Sequence, residues 1–312
     1  MPIWPATADA YARRVDFLFS GLLIVAVLTA GLVFFLLILF AARYRAGSSI
    51  ERVDPPTKTW RWEVSWTTAS LIIFVLLSIW GARLYLRLYT PPADAEQIFI
   101  VGKQWMWKAE HPGGQREINE LHVPAGRDIR LILASQDVIH SFFVPALRIK
   151  QDVVPGRYET MWFRADKPGR YHLFCSEYCG TDHAHMGGWL TVMNQRDFAA
   201  WLRAQGGGAT LAEQGEALFR RYGCSGCHEP GGTVRAPRLE GLFGSPVPLS
   251  DGKVVIADNR YVRDSILNPK AEVAAGYDPV MPTFAGQVNE DDLAKLVAYI
   301  QSIGTRGERG AR

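Results

Sequence analysis

Cysteine is scarce in this chain, with four residues in 312. Charge of one sign is not in surplus either: 34 basic side chains face 31 acidic ones, a net charge of +3. That balance removes the electrostatic signature of a nucleic-acid partner. No long internal repeat is present. Charged residues are missing altogether from two stretches, Phe17–Ala42 and Val64–Ala82. None of the seven histidines falls in either stretch, so the chain alone has no imidazoles with which to hold a haem or metal inside a membrane.

The two uncharged stretches are what is most conspicuously there. A helix needs about 20 apolar residues to cross the hydrocarbon core, and each is long enough. The first is too long for the apolar region of a signal peptide, and no small-residue cleavage site clearly follows it. Spanning helices are expected over about 17–42 and 64–89. The loop between them carries Arg43, Arg45, Arg52, Lys58 and Arg61. Short positive loops stay in the cytoplasm, which puts both termini and everything after about residue 90 outside. Arg13, Arg14, Arg83 and Arg87 blur this bias.

Pro91 and Pro92 close the second helix. From Glu96 to Val192 the chain reads as short strands separated by Gly, Pro and Asp, the spacing of a sandwich or barrel. Asn194–Arg203 reads as a short helix. Three glycines at 206–208 begin a linker over 206–210. Helical periodicity then takes over at Leu211–Tyr222, about 259–267 and Glu290–Ile303. The tail at 305–312 reads as disordered. The expected organisation is a multidomain membrane protein. A transmembrane helical hairpin (1–92) precedes an all-β sandwich (93–205), and an all-α domain (211–304) follows the linker.

The four cysteines form two pairs, and a disulfide is the plain alternative for each. Cys224-Ser225-Gly226-Cys227-His228 is the attachment pattern of a c-type haem. Its thiols add to the haem vinyl groups, and the adjacent His228 ligates iron. No further cysteine remains to complete the usual zinc set. Met281, in PVMPTFAG, is the remaining downstream thioether for the sixth position, where it would raise the potential. Its alternative role is a buried core methionine.

The first pair lies in CSEYCGTDHAHM, residues 175–186. Cys175 and Cys179 are four apart, His183 follows four later, and Met186 three after that. A thiolate, two imidazoles and a weak thioether make a blue-copper site. With a second thiolate, two coppers can be bridged, each taking one imidazole. His140, at the start of HSFFVP, is the candidate for the second. A mononuclear zinc site from two Cys and two His is the chemical alternative, but it leaves Met186 without a purpose. His185 is a nearby decoy. His111, His122 and His172 read as surface or structural.

HSFFVP followed by CSEYCGTDHAHM resembles the CuA segment of cytochrome c oxidase subunit II, and the likeness extends over nearly the whole chain. With the Cys-x-x-Cys-His domain added, the chain is similar to the caa-type oxidases, which carry a fused cytochrome c. The resemblance implies a cupredoxin-like sandwich holding binuclear copper. Cys175 and Cys179 would bridge, His140 and His183 would be the terminal imidazoles, and Met186 one axial ligand. The Glu177 carbonyl would be the other axial ligand, with its carboxylate towards a magnesium shared with the partner subunit. Trp105, in GKQWMW, matches the electron-entry aromatic, and Glu63, in RWEVSWT, the mouth of a proton pathway. Pro237 matches the proline whose carbonyl holds the haem-ligating His228. Ser70, Met106 and Gln136 depart from residues common in the family.

The resemblance further implies a place in a bacterial inner membrane, with haem–copper subunit I and other oxidase subunits as partners. Electrons would come from a cytochrome c or a membrane quinol-oxidising complex, pass through haem c and CuA, and reach a partner that reduces oxygen to water and pumps protons. A nitric oxide reductase subunit and, in another class, a copper-delivery protein are the alternatives. Residues 93–205 hold 13 basic and 13 acidic side chains, and 211–312 hold 12 and 13. Neither domain has the charge to steer the other. A tether of about ten flexible residues, spanning roughly 16–19 Å, is therefore expected to replace electrostatic docking.

Overall fold

The computed structural model describes residues 5–50, 58–206, 208–230 and 234–309. Side chains are described as far as Gly304. Arg52 of the positive loop and Gly207 of the linker lie outside the described residues. The chain divides into two compact units, one of residues 10–90 and one joining the segment before Ala10 to everything from Pro91 onwards.

The first unit is a pair of helices, α1 (Ala10–Arg43) and α2 (Trp60–Leu88). Both are long and apolar enough to cross a membrane. At 1.5 Å per residue α1 is about 51 Å long. They extend beyond the stretches the sequence marks, because helix continues into the flanking polar residues. A Cβ on Gly21 would lie 3.4 Å from the Trp80 ring, and one on Gly81 3.8 Å from Leu18, so small residues sit where the helices meet. The other faces leave large apolar side chains such as Phe34, Ile38, Phe74 and Leu76 exposed. In water that arrangement would be unstable; in lipid it is the expected one.

The second unit begins with a sandwich of ten strands: β1 (Glu96–Lys103), β2 (Met106–Glu110), β3 (Arg116–Ile118), β4 (Glu120–Pro124), β5 (Ile129–Ser135), β6 (His140–Val144), β7 (Ile149–Val153), β8 (Glu159–Phe163), β9 (Gly169–Cys175) and β10 (Gly187–Met193). One sheet has the order β3-β2-β1-β5-β8 and the other β4-β10-β9-β6-β7. β1 with β5 and β4 with β10 are parallel; the other pairs are antiparallel. Alternation aims Ile98, Ile100, Leu131 and Leu133 of one sheet and Leu121, Phe142 and Leu190 of the other into a dry core. The helix α3 (Gln195–Ala204) follows and lays Phe198 and Trp201 against His111.

The remaining chain is helical: α4 (Leu211–Arg221), α5 (Ser225–His228), α6 (Asn259–Leu267) and α7 (Glu290–Arg309). Thr210 and Glu213 cap α4 reciprocally. Asp258 caps α6 through the Tyr261 N–H, and Asn289 caps α7 through the Asp292 N–H. α4 crosses α7 at Gly215, where a Cβ would fall 2.0 Å from the Lys295 carbonyl. Two features add to the sequence reading. A short two-stranded sheet, β11 (Pro246–Pro248) with β12 (Val254–Ile256), accompanies the helices. The backbone of 305–309 continues α7 into the segment read as a disordered tail, since elongating an existing helix is cheap where nucleation is not. Residues 310–312 lie outside the described residues.

A larger difference concerns the tether. Phe99 of β1 and Ile132 of β5 belong to the same apolar cluster as Leu211, Phe219, Tyr261 and Val262 of the helical domain. That domain is packed on the outer face of the first sheet. The flexible-tether expectation is corrected by this contact: apolar strand faces, not domain charge, hold the two together.

Candidate metal and haem sites

The sandwich brings the first cysteine pair to His140 through strand pairing. β6 and β9 are antiparallel, with Phe142 opposite Cys175. His140 therefore opens β6 at the same end where Cys175 closes β9. The loop from Ser176 to Met186 folds back on itself, tied by Cys175 N–H donating to the Met186 carbonyl at 3.0 Å and Ser176 N–H to the Ser141 carbonyl at 2.9 Å. Inside this loop the Cys175 and Cys179 sulfurs lie 3.7 Å apart. A disulfide would need about 2.05 Å, and both cysteines are free. Cys179 Sγ is 3.5 Å from His183 Nδ1 and 3.5 Å from Met186 Sδ. Cys175 Sγ is 4.0 Å from His140 Nδ1 and 3.2 Å from the Glu177 carbonyl oxygen. The ligand atoms of His140, Cys175 and Cys179 all lie within 4.8 Å of one another.

The surroundings orient these donors. His140 is 0% exposed, and its Nε2 is 2.8 Å from Asp137 Oδ1. An ionised carboxylate only accepts, so Nε2 carries the proton and Nδ1 keeps its lone pair towards the sulfurs. Burial disfavours the charged form of Asp137. The N–H groups of Gln104 and Val138, together with His140, outweigh burial and hold the carboxyl below its usual range. Burial likewise opposes ionisation of Cys175, but the His140 ring and nearby backbone outweigh it and bring the thiol down to about 6. On Cys179 burial and the neighbouring Cys175 charge act together and push it up. Cys175 is thus the thiol that ionises more readily of the two.

Soft sulfur, imidazole and carbonyl donors converge here in a mostly buried space, which fits copper. His185 is turned away, pairing with Asp182 at 2.6 Å on the surface. The Glu177 side chain is exposed. Trp105 Nε1 donates to the Cys179 carbonyl at 3.2 Å, and Gln104 Nε2 donates to the same oxygen at 2.8 Å. Both fit because residue 180 is glycine: a Cβ there would lie 2.9 Å from Gln104 Nε2 and 3.2 Å from the Trp105 ring. Gly102 plays the same part beneath His140, where a Cβ would lie 2.9 Å from Cδ2. Asp137, Gln104, Gly102 and Gly180 are not site residues in the sequence reading. Only Asp137 had a signal, an acid three residues before the histidine.

In the helical domain Cys224, Cys227, His228, Pro237 and Met281 line one apolar cavity of about 330 Å³. Gly223 ends the α4 segment in the left-handed region, at φ +76°, and turns the chain into the cysteines. His228 Nδ1 lies 2.9 Å from the Pro237 carbonyl. The carbonyl can only accept, so Nδ1 is protonated and Nε2 is left as the free ligand atom. A cavity with two thiols at one wall and an imidazole and a thioether among its lining fits a covalently held haem.

Glu63 lies in the first turn of α2, accepting from the Thr59 hydroxyl, where an acid also suits the helix dipole. His111 and His122 are structural, as read. Both bond Glu117, and His122 stacks on Trp201 at 4.7 Å. His172 stacks between Phe174 and Trp189.

Membrane helices, a sandwich with a paired-thiol metal cluster and an attached c-type haem domain together define a membrane-anchored electron-transport protein. Residues 114–192 match the family model for the periplasmic domain of cytochrome c oxidase subunit II, and 212–304 match that for cytochrome c. Cytochrome c oxidase subunit 2 of Alkalihalophilus pseudofirmus is 30% identical over 302 residues, covering 90% of this chain and 84% of the relative. The alternative cytochrome c oxidase subunit 2 of Bradyrhizobium diazoefficiens is 28% identical over 227 residues, covering 63% and 81%. The solved periplasmic domain of subunit II of cytochrome oxidase of Bradyrhizobium japonicum is 36% identical, with a TM-score of 0.35, over 37% of this chain and 95% of that one. The chain belongs to the cytochrome c oxidase subunit II family, in the form that carries a cytochrome c domain, and is a component of a haem–copper oxidase.

Proposed function

We propose that this subunit takes electrons from an external donor at its haem domain. It passes them to a binuclear copper centre in the sandwich, and on to the haem–copper subunit that reduces oxygen. The observation that carries the reading is the convergence of two cysteine sulfurs, two imidazole nitrogens and a thioether in one cluster within the sandwich. Cys175, Cys179, His140, His183, Met186 and the Glu177 carbonyl would hold the copper. Cys224 and Cys227 would attach the haem, and His228 and Met281 would be its iron ligands. Copper and haem iron, when bound, each supply reversible one-electron chemistry.

The protein residues do the rest. Asp137 and Pro237 set the tautomers of His140 and His228, so the ligating nitrogen needs no proton loss. Strands β6 and β9 fix His140 and Cys175, and the folded-back loop fixes Cys179, His183 and Met186, which limits rearrangement as charge changes. Trp105, hydrogen-bonded to the Cys179 carbonyl, is the aromatic through which electrons reach the cluster. The Glu177 carboxylate, exposed beside the cluster, is available to a magnesium shared with the partner. Glu63, at the mouth of α2, serves proton entry.

The topology follows the same reading: the 43–63 loop inside, both termini and the two functional domains on the periplasmic side of the inner membrane. The segment before α1 supports it. Ala8 N–H donates to the Ala146 carbonyl at 2.9 Å, and the Ala8 carbonyl accepts from Asp166 and Lys167. These contacts tie the segment before Ala10 to the sandwich. We divide the chain accordingly into the hairpin to residue 92, the copper domain over 93–205 and the cytochrome domain from 211.

The test is metal and haem stoichiometry on the purified full chain, with electron paramagnetic resonance. Two coppers per covalent haem, with one unpaired electron shared over both copper nuclei, is the expected result. One copper with a localised signal would overturn it in favour of copper delivery, and zinc would overturn the bridged centre.

A further inference from the structure

The contact between the haem domain and the sandwich is more specific than apolar packing. Arg263 of α6 is 2% exposed. Its guanidinium donates to the Gly156 carbonyl in the β7–β8 turn, and to Glu290 Oε1 at 2.6 Å. The same group lies 5.1 Å from the centre of the Tyr158 ring. Tyr158 in turn meets Phe99 edge-on at 6.4 Å. Glu290 belongs to the haem domain, whereas Gly156, Tyr158 and Phe99 belong to the sandwich. Around this anchor Lys108 pairs with Asp291 at 2.9 Å and Arg116 donates to Gln214 at 3.0 Å.

The linker is held as well. Leu211 N–H donates to the Pro112 carbonyl at 3.1 Å. Gly114 sits so close to Ala209 that a Cβ would fall 2.5 Å from its carbonyl oxygen. The β2–β3 turn therefore grips the start of α4.

A buried guanidinium is costly unless its donors are matched. Within its own domain Arg263 has Glu290. Its hydrogen bond to Gly156 and its ring contact exist only when the domains are together. Parting them also returns Phe99, Ile132 and Tyr158 to water. Contacts buried in this way are screened by salt far less than surface charge pairs.

We propose that Arg263 is a positioning residue. It locks the haem domain on the outer face of the first sheet, so that electron delivery within the chain proceeds from one docked pose rather than from a swinging tether. The proposal deepens the electron-transfer reading and rests on it for the meaning of the pose.

The experiment uses the full-length loaded chain and three variants: Arg263→Ala, Arg263→Lys and Tyr158→Leu. Amide exchange is followed in the peptide containing Leu211 and in the 156–160 turn. Protection in the wild type is expected, with exchange roughly ten- to a hundred-fold faster in the Arg263 variants, the effect of losing a charge-assisted bond, and roughly two- to thirty-fold faster in Tyr158→Leu, which loses the ring contact. Arg263→Lys does not rescue, because an ammonium cannot reproduce the planar fork or stack on Tyr158 in the same way. A second readout separates positioning from mere stability. In the wild type, haem-to-copper transfer is independent of viscosity, and the haem iron speeds relaxation of the copper spin signal. In the variants transfer becomes viscosity-dependent and the relaxation effect weakens. If Arg263→Ala loses haem absorbance and fails to fold, Tyr158→Leu still tests the contact, since it leaves the haem domain unaltered. An unprotected Leu211 peptide in the wild type, viscosity-dependent transfer in the wild type, or wild-type exchange in folded variants would each overturn the proposal. Wrong metal content would sink the functional reading instead, while the exchange data would still report the docking.

Discussion

Glu117 is a buried acid that links α3 to the sandwich through two histidines, and its removal is predicted to destabilise the fold with a definite pH dependence. The residue lies on β3 with its side chain 6% exposed. It accepts from His111 Nε2 at 2.8 Å, from the His122 N–H at 2.9 Å and from His122 Nδ1. Those rings carry Trp201 and Phe198 of α3, the helix that leads into the linker. Burial favours the neutral acid, but the hydrogen bonds from both histidines outweigh it and hold Glu117 at about 2 rather than 4.5. At about 1.4 kcal/mol per tenfold change in proton affinity, that gap corresponds to about 3 kcal/mol of folding stability. A depressed acid contributes fully above its unfolded value of 4.5 and loses its contribution as pH falls towards about 2. Glu117→Gln, which cannot ionise, should therefore be about 3 kcal/mol less stable than wild type at neutral pH, with the difference unchanged down to about pH 4.5 and shrinking below it. The measurement is urea unfolding of the detergent-solubilised chain, followed by tryptophan fluorescence from neutral pH to about pH 3. A difference that stays constant with pH, or one below about 1 kcal/mol at neutral pH, would refute the reasoning.

Three further outcomes are expected. Asp137→Asn should keep the fold but weaken copper binding about 10- to 100-fold in a chelator competition, because the acceptor that orients the His140 ring loses its charge. Gly215→Ala should lower the melting temperature of the haem domain, read by haem absorbance, with a cost of about 1–3 kcal/mol or more as α4 is forced away from the Lys295 carbonyl. Met281→Ala should leave the haem covalently attached through Cys224 and Cys227 but lower its midpoint potential in a redox titration, since the thioether favours ferrous iron. An unchanged potential would remove Met281 from the iron.

Much of the site is legible in one dimension because its ligands are local. Cys175, Cys179, His183 and Met186 fall within twelve residues, and Cys224, Cys227 and His228 within five. The chain itself keeps such residues close whatever the fold. The apolar helices are legible for a similar reason: the absence of charge over about 20 residues is a statement about solvent, not about contacts. His140 is different. It is 35 residues from Cys175, and other histidines competed for the role. Only the pairing of β6 with β9 carries it to the cluster. Gln104 and Gly102 come from farther still and had no signal, since a small or amide side chain means nothing until its neighbour is known.

The docked face also has a signal in the sequence. Most sandwich strands alternate, but IFIV at 98–101 and LILA at 131–134 are continuous apolar runs, the pattern of strands covered on both sides. Near-zero domain charges exclude electrostatic steering but not docking, because steering and burial are separate effects. The sequence by itself determined the spanning helices, the haem motif and the spacing of the sulfur ligands, because each depends on neighbours along the chain. Only the tertiary structure decided which histidine joins the cysteines, which carbonyl holds His228 and where the haem domain rests. Those depend on strand register and on the match of one buried surface to another, set by residues such as Tyr158 and Arg263 that lie about a hundred positions apart.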